Sequence, residues 1–106
     1  MKKVFLCDYS DINTNDYVVT EVEELKDEFI IFLNADMEIK IFSSVCPHFG
    51  GEIIYDKGRQ ILTCKWHAYK FSSDIGKCLT YPKNMPNLTE YNSLIEEEKV
   101  FLVVDE

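Results

Sequence analysis

The sequence predicts an all-β fold built as an antiparallel β framework. Short runs rich in β-branched and aromatic residues recur along the chain, clusters of turn residues separate them, and one run alternates polar and apolar side chains with a period of two. The chain has 106 residues, 46% of them hydrophobic and 28% charged. That length reads as one domain, in which folding buries about two-thirds of the extended surface.

In order, Val4-Phe5-Leu6 opens a strand, and the polar stretch from Asp8 to Asp16 reads as a loop or a short helical turn. Tyr17–Val22 is β-branched and strand-like. Glu28–Leu33 is a nearly continuous apolar run, consistent with a buried strand. Asn34-Ala35-Asp36 supplies turn chemistry, and Glu38–Phe42 alternates as a half-buried strand does, so the two runs form a hairpin. Its second strand leads to Cys46. Beyond it, Ile53-Ile54-Tyr55 can pair with Gln60–Thr63 across Asp56–Arg59. Tyr69-Lys70-Phe71 and Lys77–Thr80 flank the turn Ser73–Gly76, a further hairpin signal. Leu88–Ile95 and Val100–Val104 close the chain as a pair of strands around Glu96-Glu97-Glu98. Residues 46 to about 82 are thus expected to form a small subdomain inserted in the larger β framework of a single domain, 1–106.

Two motifs carry the chemistry. Cys46-Pro47-His48 is a C-x-H pair; fifteen residues later Cys64-Lys65-Trp66-His67 is a C-x-x-H pair, and together they hold both histidines of the chain. Four soft or borderline ligands arranged as two pairs indicate a metal site. The hairpin of residues 53–63 explains the separation, because it carries the chain away from one pair and returns it to the other. Structural zinc sites usually space each ligand pair by two to four residues, and the single residue between Cys46 and His48 is tight for that geometry. A structural zinc site is the competing reading of the same four ligands.

The motifs C-P-H-F-G-G (Cys46–Gly51) and C-K-W-H-A-Y-K-F (Cys64–Phe71), followed by Asp74, Gly76 and Pro82, resemble the Rieske ferredoxin family, in its low-potential, oxygenase-associated type. The resemblance implies one 2Fe–2S cluster, with Cys46 and Cys64 on one iron and His48 and His67 on the other. Thiolates donate negative charge and neutral imidazoles do not, so the histidine-bound iron is the easier to reduce. Pro47 stiffens the first ligand segment, and Gly50 and Gly51 let backbone approach closely. Phe49, Trp66 and Phe71 are candidates to shield the centre from water. High-potential relatives carry an extra cysteine in each ligand segment, and Gly51 and Trp66 stand at those positions here. They also carry a serine and a tyrosine after the second histidine, where this chain has Tyr69 and Phe71. With fewer donors to sulfur, the potential is expected near the lower end of the Rieske range, about −150 mV.

The function implied is a soluble one-electron carrier that passes electrons from a reductase to an oxygenase or a similar acceptor, without catalysis of its own. An alternative is a Rieske-fold small subunit or electron-transfer module of a larger reductase, such as nitrite reductase. An oxygenase would need a further iron held by two histidines and a carboxylate, and both histidines are already used. The formal net charge of −8 argues against nucleic acid, whose phosphates need Lys and Arg, and suits encounter with a basic protein patch. No G-x-G-x-x-G is present for NAD or flavin. The absence of an apolar run of spanning length and of a signal-peptide pattern predicts a cytoplasmic protein with no membrane association. Cys7 and Cys78 are expected to be buried small hydrophobes.

Overall fold

The computed structural model describes residues 2–44, 52–65, 69–80 and 87–104, and these form nine strands and one short α-helix. The strands are β1 (Lys2–Asp8), β2 (Tyr17–Val22), β3 (Asp27–Leu33), β4 (Ile39–Ser43), β5 (Ile53–Asp56), β6 (Ile61–Cys64), β7 (Lys70–Ser72), β8 (Glu90–Glu96) and β9 (Lys99–Val104). Helix α1 (Tyr9–Asn15) follows β1, and a single 3₁₀ turn at Glu23–Leu25 joins β2 to β3. All pairings are antiparallel. The all-β architecture predicted from the sequence is the one observed.

Six strands form a sheet in the order β1-β9-β8-β4-β3-β2, and β5-β6-β7 form a separate three-stranded sheet. The large sheet curls so that its outer strands meet, and the Thr20 hydroxyl donates to the Leu6 carbonyl at 3.3 Å. Strand alternation sends its apolar residues to two layers. Phe29, Ile31, Ile41, Val100 and Leu102 line the inside of the curl, with Ile12 of α1 closing it. Ile30, Phe32 and Phe42 point the other way and pack against Ile53, Tyr55, Leu62, Cys64 and Phe71 of the small sheet. Aromatic contacts join the sheets: Tyr55 stacks on Phe32 with centroids 4.1 Å apart, and its hydroxyl donates to the Leu33 carbonyl at 3.4 Å.

Helix α1 occupies part of the stretch read as a loop or short helical turn. Its Asp, Asn and Thr residues are poor helix formers, and only Ile12, 1% exposed, is buried. Side-chain bonds brace the segment: Asp11 accepts from the Asp8 N–H, Thr14 Oγ1 donates to the Ser10 carbonyl and Asn15 Nδ2 to the Asp11 carbonyl, the last two at 3.0 Å. The last hairpin differs slightly from expectation. Strand β8 begins at Glu90 rather than Leu88, because Leu88 is buried and its N–H donates to the Gly76 carbonyl at 2.8 Å. The expected hairpin around Ser73–Gly76 is reduced on its second arm to one bridge, Phe71 to Cys78.

Gly76 is required by both conformation and space. Its φ is +72°, and a Cβ there would lie 2.7 Å from Phe42 Cε1 and 2.9 Å from the Leu88 carbonyl oxygen. The turn of the small sheet is therefore pressed against β4 and the approach to β8, and only glycine permits that approach.

Candidate metal centre

Of the four predicted ligands, Cys64 lies among the described residues; Cys46, His48 and His67 lie outside them, as do Pro47, Phe49, Gly50, Gly51, Trp66 and Pro82. Cys64 ends β6. The alternation of that strand turns Leu62 and Cys64 inward together, and both side chains are fully buried. Its thiol is in no disulfide. Ile53, Tyr55, Leu62 and Phe71 share its core layer, and Tyr69 packs against that layer from the rim. Phe71, a candidate to shield the centre, is fully buried in the same layer as Cys64.

Backbone hydrogen bonds fix the feet of the two ligand-bearing segments. The Cys64 N–H donates to the Tyr69 carbonyl at 2.8 Å, joining the two ends of the segment that contains His67. The Ile53 N–H donates to the Ser44 carbonyl at 3.0 Å, closing the segment that contains Cys46 and His48. A third bond, from the Lys65 N–H to the Glu52 carbonyl at 3.0 Å, ties one foot to the other. The same two residues form an ion pair at 3.3 Å; with both side chains about half exposed, it contributes less than about 1 kcal/mol. Cys64 and Ile53 are also direct cross-strand partners. The two motifs, fifteen residues apart in the chain, therefore leave from adjacent points of one small sheet.

Ser44 was not singled out by the sequence reading. Its N–H donates to the Glu28 carbonyl at 2.8 Å, extending the β3–β4 ladder by one step. Its side chain is 1% exposed, and its hydroxyl has no hydrogen-bond partner among the described residues. The signal in the sequence was a hydroxyl two residues after the inward Phe42 and two before Cys46, where strand alternation calls for a core side chain.

Cys7 and Cys78 are buried and free, each 6% exposed. Burial, with Asp11 and Asp8 adding to it, pushes the Cys7 thiol up to about 11. The Cys78 thiol donates weakly to the Thr80 carbonyl at 3.6 Å, while its N–H donates to Asn87 Oδ1 at 3.1 Å. Both behave as the buried small hydrophobes expected. Among the described residues, no three His, Cys, Asp or Glu side chains converge on a point that would hold a metal ion, and no helix is long and apolar enough to cross a membrane.

The donor chemistry fits an iron–sulfur group. A buried thiol at a strand end, with apolar neighbours and its own N–H bonded to the Tyr69 carbonyl, suits a thiolate bound to a metal and kept from water. A buried hydroxyl with a proton to donate, that of Ser44, lies two residues before the other motif in the chain.

Residues 2–94 match the family model described as the Rieske [2Fe-2S] domain. Among curated proteins, the oxygenase subunit of carnitine monooxygenase from Escherichia coli (strain K12) is 29% identical over 83 residues, covering 76% of this chain and 21% of that protein. The chain thus spans about a fifth of the length of that relative. Among solved structures, the cyanobacterial plasma membrane Rieske protein PetC3 from Synechocystis PCC 6803 superposes with a TM-score of 0.81 at 17% identity, covering 95% of this chain and 99% of that one. The Sphingomonas yanoikuyae B1 ferredoxin superposes with a TM-score of 0.80 at 20% identity, covering 98% and 100%.

Proposed function

The chain belongs to the Rieske [2Fe-2S] domain family, which binds one 2Fe–2S cluster, and from that premise we propose that it is a one-electron carrier. Cys46 and Cys64 hold one iron of its cluster, His48 and His67 hold the other, and residues 46 to about 82 form the cluster-binding part of a single domain. The observation that carries this reading is the placement of Cys64. It is a free, buried cysteine at a strand end, with its foot bonded to the foot of the segment bearing Cys46 and His48. When bound, the cluster supplies a reversible one-electron couple whose more reducible iron is the histidine-bound one.

The chain's own residues serve that couple in three ways. Leu62, Phe71 and Ile53, all fully buried, keep water from the Cys64 sulfur. The ladder of β5, β6 and β7 holds the feet of both ligand segments, which limits rearrangement when the charge changes. The acidic surface, −8 overall, favours encounter with basic patches on protein partners: a reductase as donor and an oxygenase or similar enzyme as acceptor. A reducing compartment such as the cytoplasm suits the free thiols of Cys7 and Cys78.

A second reading is favoured by the relative itself. Identity of 29% with an oxygenase subunit fits a Rieske part that feeds a catalytic iron held elsewhere in an oxygenase.

Metal analysis and low-temperature EPR of the dithionite-reduced protein test the cluster. Two irons per chain with a rhombic signal from a nitrogen- and sulfur-ligated cluster are expected. One zinc per chain and no EPR signal would withdraw the carrier reading. Reduction by an added reductase, with onward transfer to a separately added oxygenase, supports the free carrier. Tight copurification with a subunit holding one further iron supports the second reading.

A further inference from the structure

We infer that Ser44 is a positioning residue for the metal centre, its hydroxyl donating a hydrogen bond to a sulfur there and so raising the reduction potential. This rests on the cluster assignment above. A buried hydroxyl normally has a partner, because burying one without any costs as much as a lost hydrogen bond. Ser44 has only 1% of its surface exposed and finds none among the described residues.

Its surroundings narrow the identity of the acceptor. The Ser44 N–H is committed to the Glu28 carbonyl, and its own carbonyl accepts from Ile53. Strand alternation places its side chain on the face of Phe42, the layer that packs against the small sheet and contains Cys64. Apart from backbone already paired, that layer is built from aliphatic and aromatic side chains, the hydroxyls of Tyr17, Tyr55 and Tyr69, none of which bonds Ser44, and the sulfur of Cys64 and Cys78. Cys78 sits with Thr80. Cys64 is the direct strand partner of Ile53, whose N–H holds Ser44. The hydroxyl therefore stands two residues from Cys46, beside the strand pair that carries Cys64.

A thiolate or sulfide sulfur accepts hydrogen bonds, and accepts them better after reduction has added negative charge. A donor fixed in a dry site therefore favours the reduced state. Reduction adds one electron to the centre and moves no proton from Ser44; the bond only strengthens.

Ser44→Ala and Ser44→Thr, each loaded with iron and compared with wild type by redox titration, test this. Loss of the hydroxyl is expected to shift the reduction equilibrium about tenfold toward the oxidised form, a fall of about 59 mV for one electron. Iron content and melting temperature should stay close to wild type, and Ser44→Thr, which keeps the donor, should hold the potential near the wild-type value. An unchanged potential in iron-replete Ser44→Ala overturns the inference while leaving the cluster assignment intact. Loss of iron or a lowered melting temperature with no change in potential gives Ser44 a packing role and overturns it equally. A wild-type protein without iron would instead sink the carrier reading on which the inference stands.

Discussion

Replacing Gly76 by alanine gives the sharpest test of how the small sheet is held. At φ +72°, a residue with a Cβ is strained by about 1–2 kcal/mol. The added methyl would also sit 2.7 Å from Phe42 Cε1 and 2.9 Å from the Leu88 carbonyl oxygen. The latter is backbone, held in place by the bond from the Leu88 N–H to the Gly76 carbonyl, and Phe42 is fully buried between the sheets. Overpacking of this kind costs about 1–3 kcal/mol. Reduced freedom of the unfolded chain returns about 0.4–1 kcal/mol, so the net loss should be about 2–4 kcal/mol. Gly58→Ala is the internal control. Gly58 lies in the β5–β6 turn at no positive φ, and its added Cβ meets only Asp56 Oδ1 at an ordinary 3.5 Å. That variant should stay within about 1 kcal/mol of wild type. Urea unfolding followed by far-ultraviolet circular dichroism, with the slope unchanged, measures both. If Gly76→Ala were no less stable than Gly58→Ala, the close packing of the turn on β4 would be wrong, and with it the account of what positions β7, the strand that follows the second ligand segment in the chain.

Two further predictions concern the core. Phe71→Ala empties a fully buried position shared by both sheets and should cost about 3–5 kcal/mol in the same assay; a loss below about 1 kcal/mol would mean that Phe71 does not join the layers. Cys7 gives a pH dependence. Burial raises its thiol from the ordinary 9.0 to about 11, so the folded state favours the protonated form. Its stabilisation should be full below pH 9 and fade as pH rises through about 11. Comparing wild type with Cys7→Ala should show that extra loss in wild type alone, and parallel curves would refute it.

The sequence showed most where side-chain pattern alone decides structure. The β-branched run Tyr17–Val22 coincides with β2. The alternation ending at Phe42 reads as β4, and the turn residues Asp56–Arg59 sit between β5 and β6 as expected. What remained hidden depends on distant partners. Pairing of β1 with β9, through Lys2 and Val104 at its far end, joins opposite ends of the chain, and no local pattern reports it. Helix α1 exists because Ile12 finds a buried seat, against its own propensities. The C-x-H and C-x-x-H motifs named the candidate ligands by residue type and spacing. Ser44 was not legible in the same way, because a serine before a cysteine looks like any polar residue until strand register turns it inward.

The pairing of β4 with β8 has a consequence for how the molecule could diversify. Ser43 and Thr89 face each other across a backbone bond of 3.1 Å, so the whole excursion through the small sheet leaves and rejoins the curled large sheet, the barrel-like body of the molecule, at a single doorway. Adjacent strands lie about 4.8 Å apart; seen from the barrel, the lobe is a graft on a stem one strand wide. The β5–β6 turn is tied back to the end of α1 by the pairing of Lys57 with Asp16 at 3.6 Å. The graft cannot be pruned without cost, because Ile30, Phe32 and Phe42 beneath it would be bared to water. The face of the lobe turned to the large sheet is thereby held constant, however its other face varies.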